Sequence, residues 1–249
     1  MELDKVYLGD AYNLIKEIPD KSIDLVYVDI PYEIHTTGYG NIGNSKHLKT
    51  FQDSITKNNL VKGIDYSILD DFIRVLKKTY IYIWCSLKQV YPIMNYLLSK
   101  YQLNYQILTW CKTNPVPLGN KQFLDDTEYC LVFYESGVKV NLGIENKHRF
   151  FVGVKNVKDK ELYDHPTIKP LEWTEQHILN SSQEGDVVLD CFAGSGTTLV
   201  ACKELGRHYI GFELDESYYK ICVDRLNGIT QIKRRELDEG VPQQLSLWE

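Results

Sequence analysis

Asp190-Cys191-Phe192-Ala193-Gly194-Ser195-Gly196-Thr197-Thr198 is the stretch that decides how this chain folds. It follows the apolar run Val187-Val188-Leu189 and leads into a helical pattern closed by Gly206. An apolar strand that empties into small residues and then a helix lets a ligand approach the backbone closely, and the free amides of the helix N-terminus favour an anionic group. The next apolar run, Tyr209-Ile210-Gly211-Phe212, ends in Glu213. An acidic side chain there can accept hydrogen bonds from both hydroxyls of a ribose. Together the two features imply a nucleoside-bearing ligand. The turn lacks the Gly-x-Gly-x-x-Gly spacing of a dinucleotide fold, because position 199 is Leu, and it lacks the Gly-Lys-Thr of a phosphate loop.

Outward from this turn, short β-rich runs alternate with stretches of helical period. Strands are expected near 5–8, 23–28, 80–84, 105–110, 129–134, 187–190 and 208–212, and helices near 11–18, 66–77, 87–99, 171–181, 197–205 and 216–226. Such alternation predicts an α/β fold, a mostly parallel doubly wound sheet of Rossmann-like type. A chain of 249 residues, 43% hydrophobic, suffices for one core, expected over 1–227, with a tail over 228–249. Two aperiodic insertions, 33–65 and 136–164, are long enough to be functional loops.

No run of apolar residues is long enough for a membrane span, and the start lacks the pattern of a signal peptide, so a soluble, cytoplasmic protein is expected. The six cysteines form no Cys-x-x-Cys pair and read as reduced core thiols, with no metal site. The net charge of −6 argues against a surface that binds nucleic acid throughout. A local basic groove remains open to Lys46, Lys49, Lys57 and Lys62, or to Lys147, His148, Arg149, Lys155, Lys158 and Lys160, which read equally well as solvated loop residues.

Far from the glycine-rich turn, the strand Ile23-Asp24-Leu25-Val26-Tyr27-Val28 runs into Asp29-Ile30-Pro31-Tyr32. Ligands of doubly wound sheets bind at the carboxyl ends of strands, so Asp29 and Gly194 face one crevice if their strands are neighbours. Taken alone, Asp29 can cap a turn and Tyr32 can pack at a sheet edge.

The order and wording of these segments resemble the β class of DNA amino-methyltransferases. Asp29-Ile30-Pro31-Tyr32 resembles the Asp-Pro-Pro-Tyr motif of that family, with Ile30 in place of the first proline. The stretch 190–197 is similar to the family's first motif, and Gly-Phe-Glu-Leu-Asp-Glu-Ser-Tyr-Tyr at 211–219 to its second. Leu8-Gly9-Asp10-Ala11 resembles the third, Ile81-Tyr82-Ile83-Trp84-Cys85 the sixth, and Trp110-Cys111-Lys112-Thr113-Asn114-Pro115-Val116-Pro117 with Asp126-Thr127-Glu128-Tyr129 the eighth, in the form associated with adenine enzymes. The tetrapeptide precedes the glycine-rich turn, which is the permuted order of the β class. The resemblance spans roughly 3–227.

The resemblance implies S-adenosylmethionine as cofactor, held by Asp10, Thr167, Lys169, Asp190, Phe192, Ala193, Gly194, Ser195, Gly196, Thr197 and Glu213, with Thr167 and Lys169 of His165-Pro166-Thr167-Ile168-Lys169-Pro170 closing over its methionine end. It implies that Asp29, Ile30, Pro31 and Tyr32 grip a base flipped from double-stranded DNA, with adenine N6 the expected acceptor and cytosine N4 the alternative. Asp29 in place of serine favours adenine. Methylation of RNA or of a protein glutamine is a more distant reading, and a DNA-binding module that keeps the fold without turnover is the reading from another class. Relatives of this class often form homodimers, and a partner endonuclease is left open. Gln244-Leu245-Ser246-Leu247-Trp248 resembles the pentapeptide by which bacterial proteins dock on the sliding clamp; an apolar end folded on the body is the other reading.

Overall fold

The computed structural model describes residues 1–33, 63–115, 123–138, 140, 141, 143, 147–154, 163 and 168–230. In chain order the elements are β1 (Lys5–Leu8), α1 (Ala11–Leu14, continued by a 3-10 turn over Ile15–Glu17), β2 (Leu25–Asp29), α2 (Ile68–Val75), β3 (Tyr80–Cys85), α3 (Leu87–Lys100), β4 (Asn104–Lys112), β5 (Thr127–Tyr134), β6 (Phe150–Gly153), α4 (Leu171–Ser181), β7 (Val187–Asp190), α5 (Thr197–Glu204), β8 (His208–Glu213) and α6 (Glu216–Leu226).

Among the described residues the strands form one eight-stranded sheet in the order β1-β8-β7-β2-β3-β5-β4-β6. Strand β5 runs antiparallel to both neighbours, and every other pairing is parallel. The sheet is therefore mostly parallel, as the alternation of elements predicts.

The two faces of the central strands feed two separate cores. In β2, Val26 and Val28 join one cluster while Leu25 and Tyr27 join the other. In β3, Ile81, Ile83 and Cys85 point one way, and Tyr80, Tyr82 and Trp84 the other. Because a strand's side chains alternate between faces, a sheet covered on both sides needs apolar residues at every position, which is why these strands read as continuous apolar runs. The first cluster takes in α2 through Ile68, Leu69, Phe72 and Val75, spaced to lie on one helical face. The second takes in Ile178 of α4, Leu199, Ala201 and Cys202 of α5, and Cys222 of α6. Five of the six cysteines are buried, and Cys111 is partly exposed.

Three elements depart from the sequence reading for identifiable reasons. The helix expected over 11–18 tightens into a 3-10 turn and stops because Ile18, which precedes Pro19, is extended with φ −78° and ψ 127°. A residue before proline is sterically excluded from the α region. Part of the insertion at 136–164 is strand β6, paired with β4 from Thr109↔Phe150 to Lys112↔Gly153. Its Phe150-Phe151-Val152 run has no polar alternation although Phe150 and Val152 are exposed, so the period-2 signal of a half-exposed strand is missing from the sequence. The reversal of β5 leaves no trace in local sequence pattern.

Candidate active site

Strand β7 connects through α5 to β8 on one side of the sheet, whereas β2 leads by way of α2 to β3 on the other. Adjacent parallel strands whose connections depart in opposite directions leave a crevice beyond their carboxyl ends. The register Leu25↔Val188 and Val26↔Leu189 brings Asp29 and Asp190 to that same end.

On the β2 side, Asp29 lies with Lys169, Tyr32 and Glu128. The Lys169 ammonium donates to Asp29 Oδ2 at 2.7 Å and to the Tyr32 hydroxyl at 3.0 Å, and lies 2.9 Å from Glu128 Oε2. The Tyr32 hydroxyl donates to Glu128 Oε2 at 3.1 Å, and Lys112 Nζ lies 2.5 Å from Glu128 Oε1. The Lys169 ammonium also sits over the rings of Tyr32 and Trp84, at 5.2 Å and 5.3 Å from their centroids. The second carboxylate oxygen of Asp29, Oδ1, is buried and has no hydrogen-bond partner among the described residues. A buried acceptor without a donor costs free energy unless something else satisfies it.

The charges in this cluster follow from burial and pairing. Burial pushes the Asp29 carboxyl up, Lys169 draws it down and Glu128 pushes it up again, leaving it above the usual carboxylate range. Burial would likewise raise Glu128, but the ammoniums of Lys169 and Lys112 reverse this and hold it down at about 2. Lys169 stays protonated because its two carboxylates outweigh its desolvation. The tetrapeptide backbone is fixed from β3 and α3: the Ile30 amide donates to the Trp84 carbonyl at 3.2 Å, and fully buried Gln89 donates from Nε2 to the Pro31 carbonyl at 2.9 Å.

On the β7 side the glycine-rich turn wraps around acidic groups. Asp190 Oδ1 accepts from the Phe192 amide at 3.0 Å, and burial pushes its carboxyl up to about 7. Glu213 accepts from the Gly194 amide at 2.7 Å on one oxygen and from the Asp215 amide at 2.8 Å on the other, so each oxygen keeps a lone pair. Gly9 donates to the Glu213 carbonyl at 2.8 Å, which sets Asp10, the N-cap of α1, beside the end of β8. Gly196 has φ +79°, and a Cβ there would lie 2.5 Å from Cys222 Sγ. Buried Arg225 of α6 donates to Thr197 Oγ1 at 2.7 Å and to Ser195 Oγ at 3.2 Å, tying down the far side of the turn. Ala193 donates to the Phe212 carbonyl at 2.8 Å. Among the described residues the strand ends around the crevice thus carry Asp10, Asp29, Asp190 and Glu213, with Lys169 the cation paired to Asp29. Such a set fits a ligand with hydroxyls to donate and a positive charge, and fits a phosphate-bearing nucleotide poorly.

A model of the family described as DNA methylase, covering N6 and N4 enzymes, matches residues 23–224. The chain belongs to this family. It is 32% identical to the type II methyltransferase M.HinfI of Haemophilus influenzae, over 91% of this chain and 69% of that protein. It is equally 32% identical to M2.LlaDCHI of Lactococcus lactis subsp. cremoris, over 88% of this chain and 87% of that one. Among solved structures, the complex of M1.HpyAVI with SAM superposes with a TM-score of 0.65 at 24% identity, covering 89% of this chain and 99% of that one. The cytosine-N4-specific PvuII DNA methyltransferase superposes at 0.66 with 17% identity, covering 94% and 90%. These superpositions show the fold.

In this DNA methylase, the sequence-read residues Asp29, Ile30, Pro31 and Tyr32 gather at the end of β2, and Asp10, Asp190, Phe192, Ala193, Gly194, Ser195, Gly196, Thr197 and Glu213 gather around the ends of β7 and β8. The Lys169 ammonium, expected at the methionine end of the cofactor, lies in this structure on Asp29 and Glu128. Thr167 falls outside the described residues, as do most of the insertion at 33–65, the lysines at 46, 49, 57, 62, 155, 158 and 160, and the clamp-like tail. Glu128, Lys112, Gln89 and Arg225 received no role from sequence. The first two sit inside the stretches that resemble the eighth motif, and nothing local marks Gln89 or Arg225. Among the described residues, no helix is long and apolar enough to cross a membrane, and no group of His, Cys, Asp or Glu forms a metal site.

Proposed function

We propose that this DNA methylase transfers a methyl group from S-adenosylmethionine to the N6 amine of an adenine flipped out of double-stranded DNA, with residues 1–227 as one catalytic domain. The observation that carries the reading is Asp29 Oδ1, a buried carboxylate oxygen at the carboxyl end of β2 with no hydrogen-bond partner among the described residues. An exocyclic amine is a poor nucleophile because its lone pair is delocalised into the ring. Accepting one N–H at Asp29 Oδ1 and a second at the Ile30 carbonyl draws the nitrogen towards tetrahedral geometry and frees that pair. The pair forms the new N–C bond while sulfur keeps the electrons of the broken S–C bond, and the amine's surplus proton leaves along its hydrogen bond to Asp29. Tyr32 offers a ring face for the flipped base, and stacking offsets the few kcal/mol of unstacking.

S-adenosylmethionine supplies an activated methyl on a cationic sulfonium, which suits the acidic crevice. Glu213 has lone pairs left for the ribose hydroxyls, Asp10 stands beside it, and the turn 192–197 would hold the remainder. Asp29 and the adenine-type wording around Trp110 and Glu128 support N6 over cytosine N4. The tail residues Gln244, Leu245, Leu247 and Trp248 are proposed as a clamp-docking segment, and a homodimer as the assembly, both on resemblance alone.

The test is incubation of the purified protein with unmethylated double-stranded DNA and methyl-labelled S-adenosylmethionine, followed by hydrolysis and separation of the nucleosides. Label in N6-methyladenine is the expected result. Label in N4-methylcytosine, or none, overturns the assignment.

A further inference from the structure

Lys169 poses a difficulty for the reading above, on which this inference rests. A protonated lysine on the carboxylate that must hold the substrate amine competes with that amine. The geometry points to a resolution in a residue without an assigned role: we propose that Glu128 is a positioning residue that holds the Lys169 ammonium on Asp29 Oδ2 and off Asp29 Oδ1, keeping the latter open for the base.

Glu128 Oε2 lies 2.9 Å from the Lys169 ammonium, and Asp29 Oδ2 lies 2.7 Å away on the same ammonium. The Tyr32 hydroxyl, 3.0 Å away, takes a further donor position. An ammonium has three N–H donors, so Asp29 Oδ2, Glu128 Oε2 and Tyr32 account for all of them and none is left for Oδ1. Glu128 is itself fixed from the far side by Lys112, 2.5 Å from Oε1. The result is two carboxylates and two ammoniums with no net charge, largely shielded from solvent at three of the four: Lys169, Lys112 and Glu128 are 10%, 13% and 17% exposed, whereas Asp29, the group that faces the crevice, is 30% exposed. Without Glu128, Lys169 has one carboxylate left and bridges both of its oxygens. Glu128 also acts on Asp29 through space, since its negative charge is among the influences raising the Asp29 carboxyl.

Among the described residues, the charged or titratable groups that face Asp29 are Lys169 before α4, Glu128 and Cys130 of β5, Cys85 at the end of β3, Tyr27 of β2, Asp190 at the end of β7, and Tyr32. Lys112 reaches Asp29 only through Glu128. Of these groups, a change at Glu128 or Lys112 alters the charge near Asp29 without touching base or cofactor.

The experiment measures single-turnover methyl transfer against pH for the wild type, Glu128→Gln and Lys112→Gln, with S-adenosylmethionine affinity measured by calorimetry. In E128Q the transfer rate is expected to fall about 10- to 100-fold with cofactor affinity unchanged, because misplacement near the reacting atoms has that effect. Its acid limb moves to lower pH, because a negative neighbour of Asp29 is gone. In K112Q the limb moves the other way, because Glu128 keeps its charge and loses a compensating cation. A packing role moves neither limb in these opposite senses. Wild-type rate and profile in E128Q overturn the inference. Should E128Q not fold, K112Q decides alone, and an unshifted limb there overturns it. Failure of the wild type to form N6-methyladenine overturns the proposed function instead, so the two failures are distinguishable.

Discussion

Asp29 and Lys169 are 140 positions apart in the chain and 2.7 Å apart in space, Asp29 at the end of β2 and Lys169 just before α4. The contact joins the two halves of the site: the lysine belongs to the segment read as a cofactor clasp, and its charge acts on the group that grips the base. Its consequences are separable by substitution.

Asp29→Asn keeps the size of the side chain and removes its charge. Single-turnover methyl transfer is expected to fall by about 100-fold or more, the scale of losing one well-placed electrostatic partner. Cofactor affinity, read by calorimetry, stays close to that of the wild type. A parallel loss of both would mean that Asp29 serves the cofactor and not the base.

Lys169→Met leaves Asp29 without its paired cation and Glu128 with Lys112 alone among the described residues. Removing one partner of a buried pair costs about 3–5 kcal/mol, which urea unfolding can measure. Asp29 then loses the influence that lowers its carboxyl, so any remaining activity shifts its acid limb to higher pH. A limb moving to lower pH would contradict the charge arrangement described here.

Gly196 and Gly185 both occupy the left-handed region, at φ +79° and +82°. At Gly185 a Cβ meets nothing within 4 Å, whereas at Gly196 it meets Cys222 Sγ at 2.5 Å. Gly185→Ala should therefore cost only the backbone term of about 1–2 kcal/mol. Gly196→Ala should cost about 1–3 kcal/mol more through overpacking and should weaken cofactor binding. Equal unfolding midpoints for the two variants would rule out the steric account.

Two buried groups give the unliganded protein opposite pH dependences. Asp190 has its carboxyl raised from 3.8 to about 7 by burial, so the stability it contributes is complete below about 3.8 and is lost as pH rises through 7. His177, with Nδ1 paired to the Tyr27 hydroxyl at 3.1 Å, is lowered from 6.5 to about 3 by burial. Its contribution is present above about 6.5 and is lost as pH falls towards 3. In denaturant titrations across pH, Asp190→Asn should remove the first dependence and His177→Asn the second. Parallel curves for wild type and both variants would refute both assignments.

Local sequence fixed the alternation of elements, because an apolar run buried on both faces and a helix with one apolar stripe each carry their own period. It also marked the two ends of the crevice, since the turn at 190–197 needs small residues and Asp29-Ile30-Pro31-Tyr32 ends a strand wherever that strand lies in the sheet. Tertiary structure alone decided which strands are neighbours, the reversal of β5, and the addition of β6 at the edge, because pairing partners are chosen by burial across the sheet. It alone also brought Lys169 onto Asp29, with Glu128 on the same ammonium and Lys112 behind Glu128. A buried carboxylate's charge depends on what surrounds it in space, and those surroundings come from β4, β5 and the segment before α4, none of them adjacent to Asp29 in the chain.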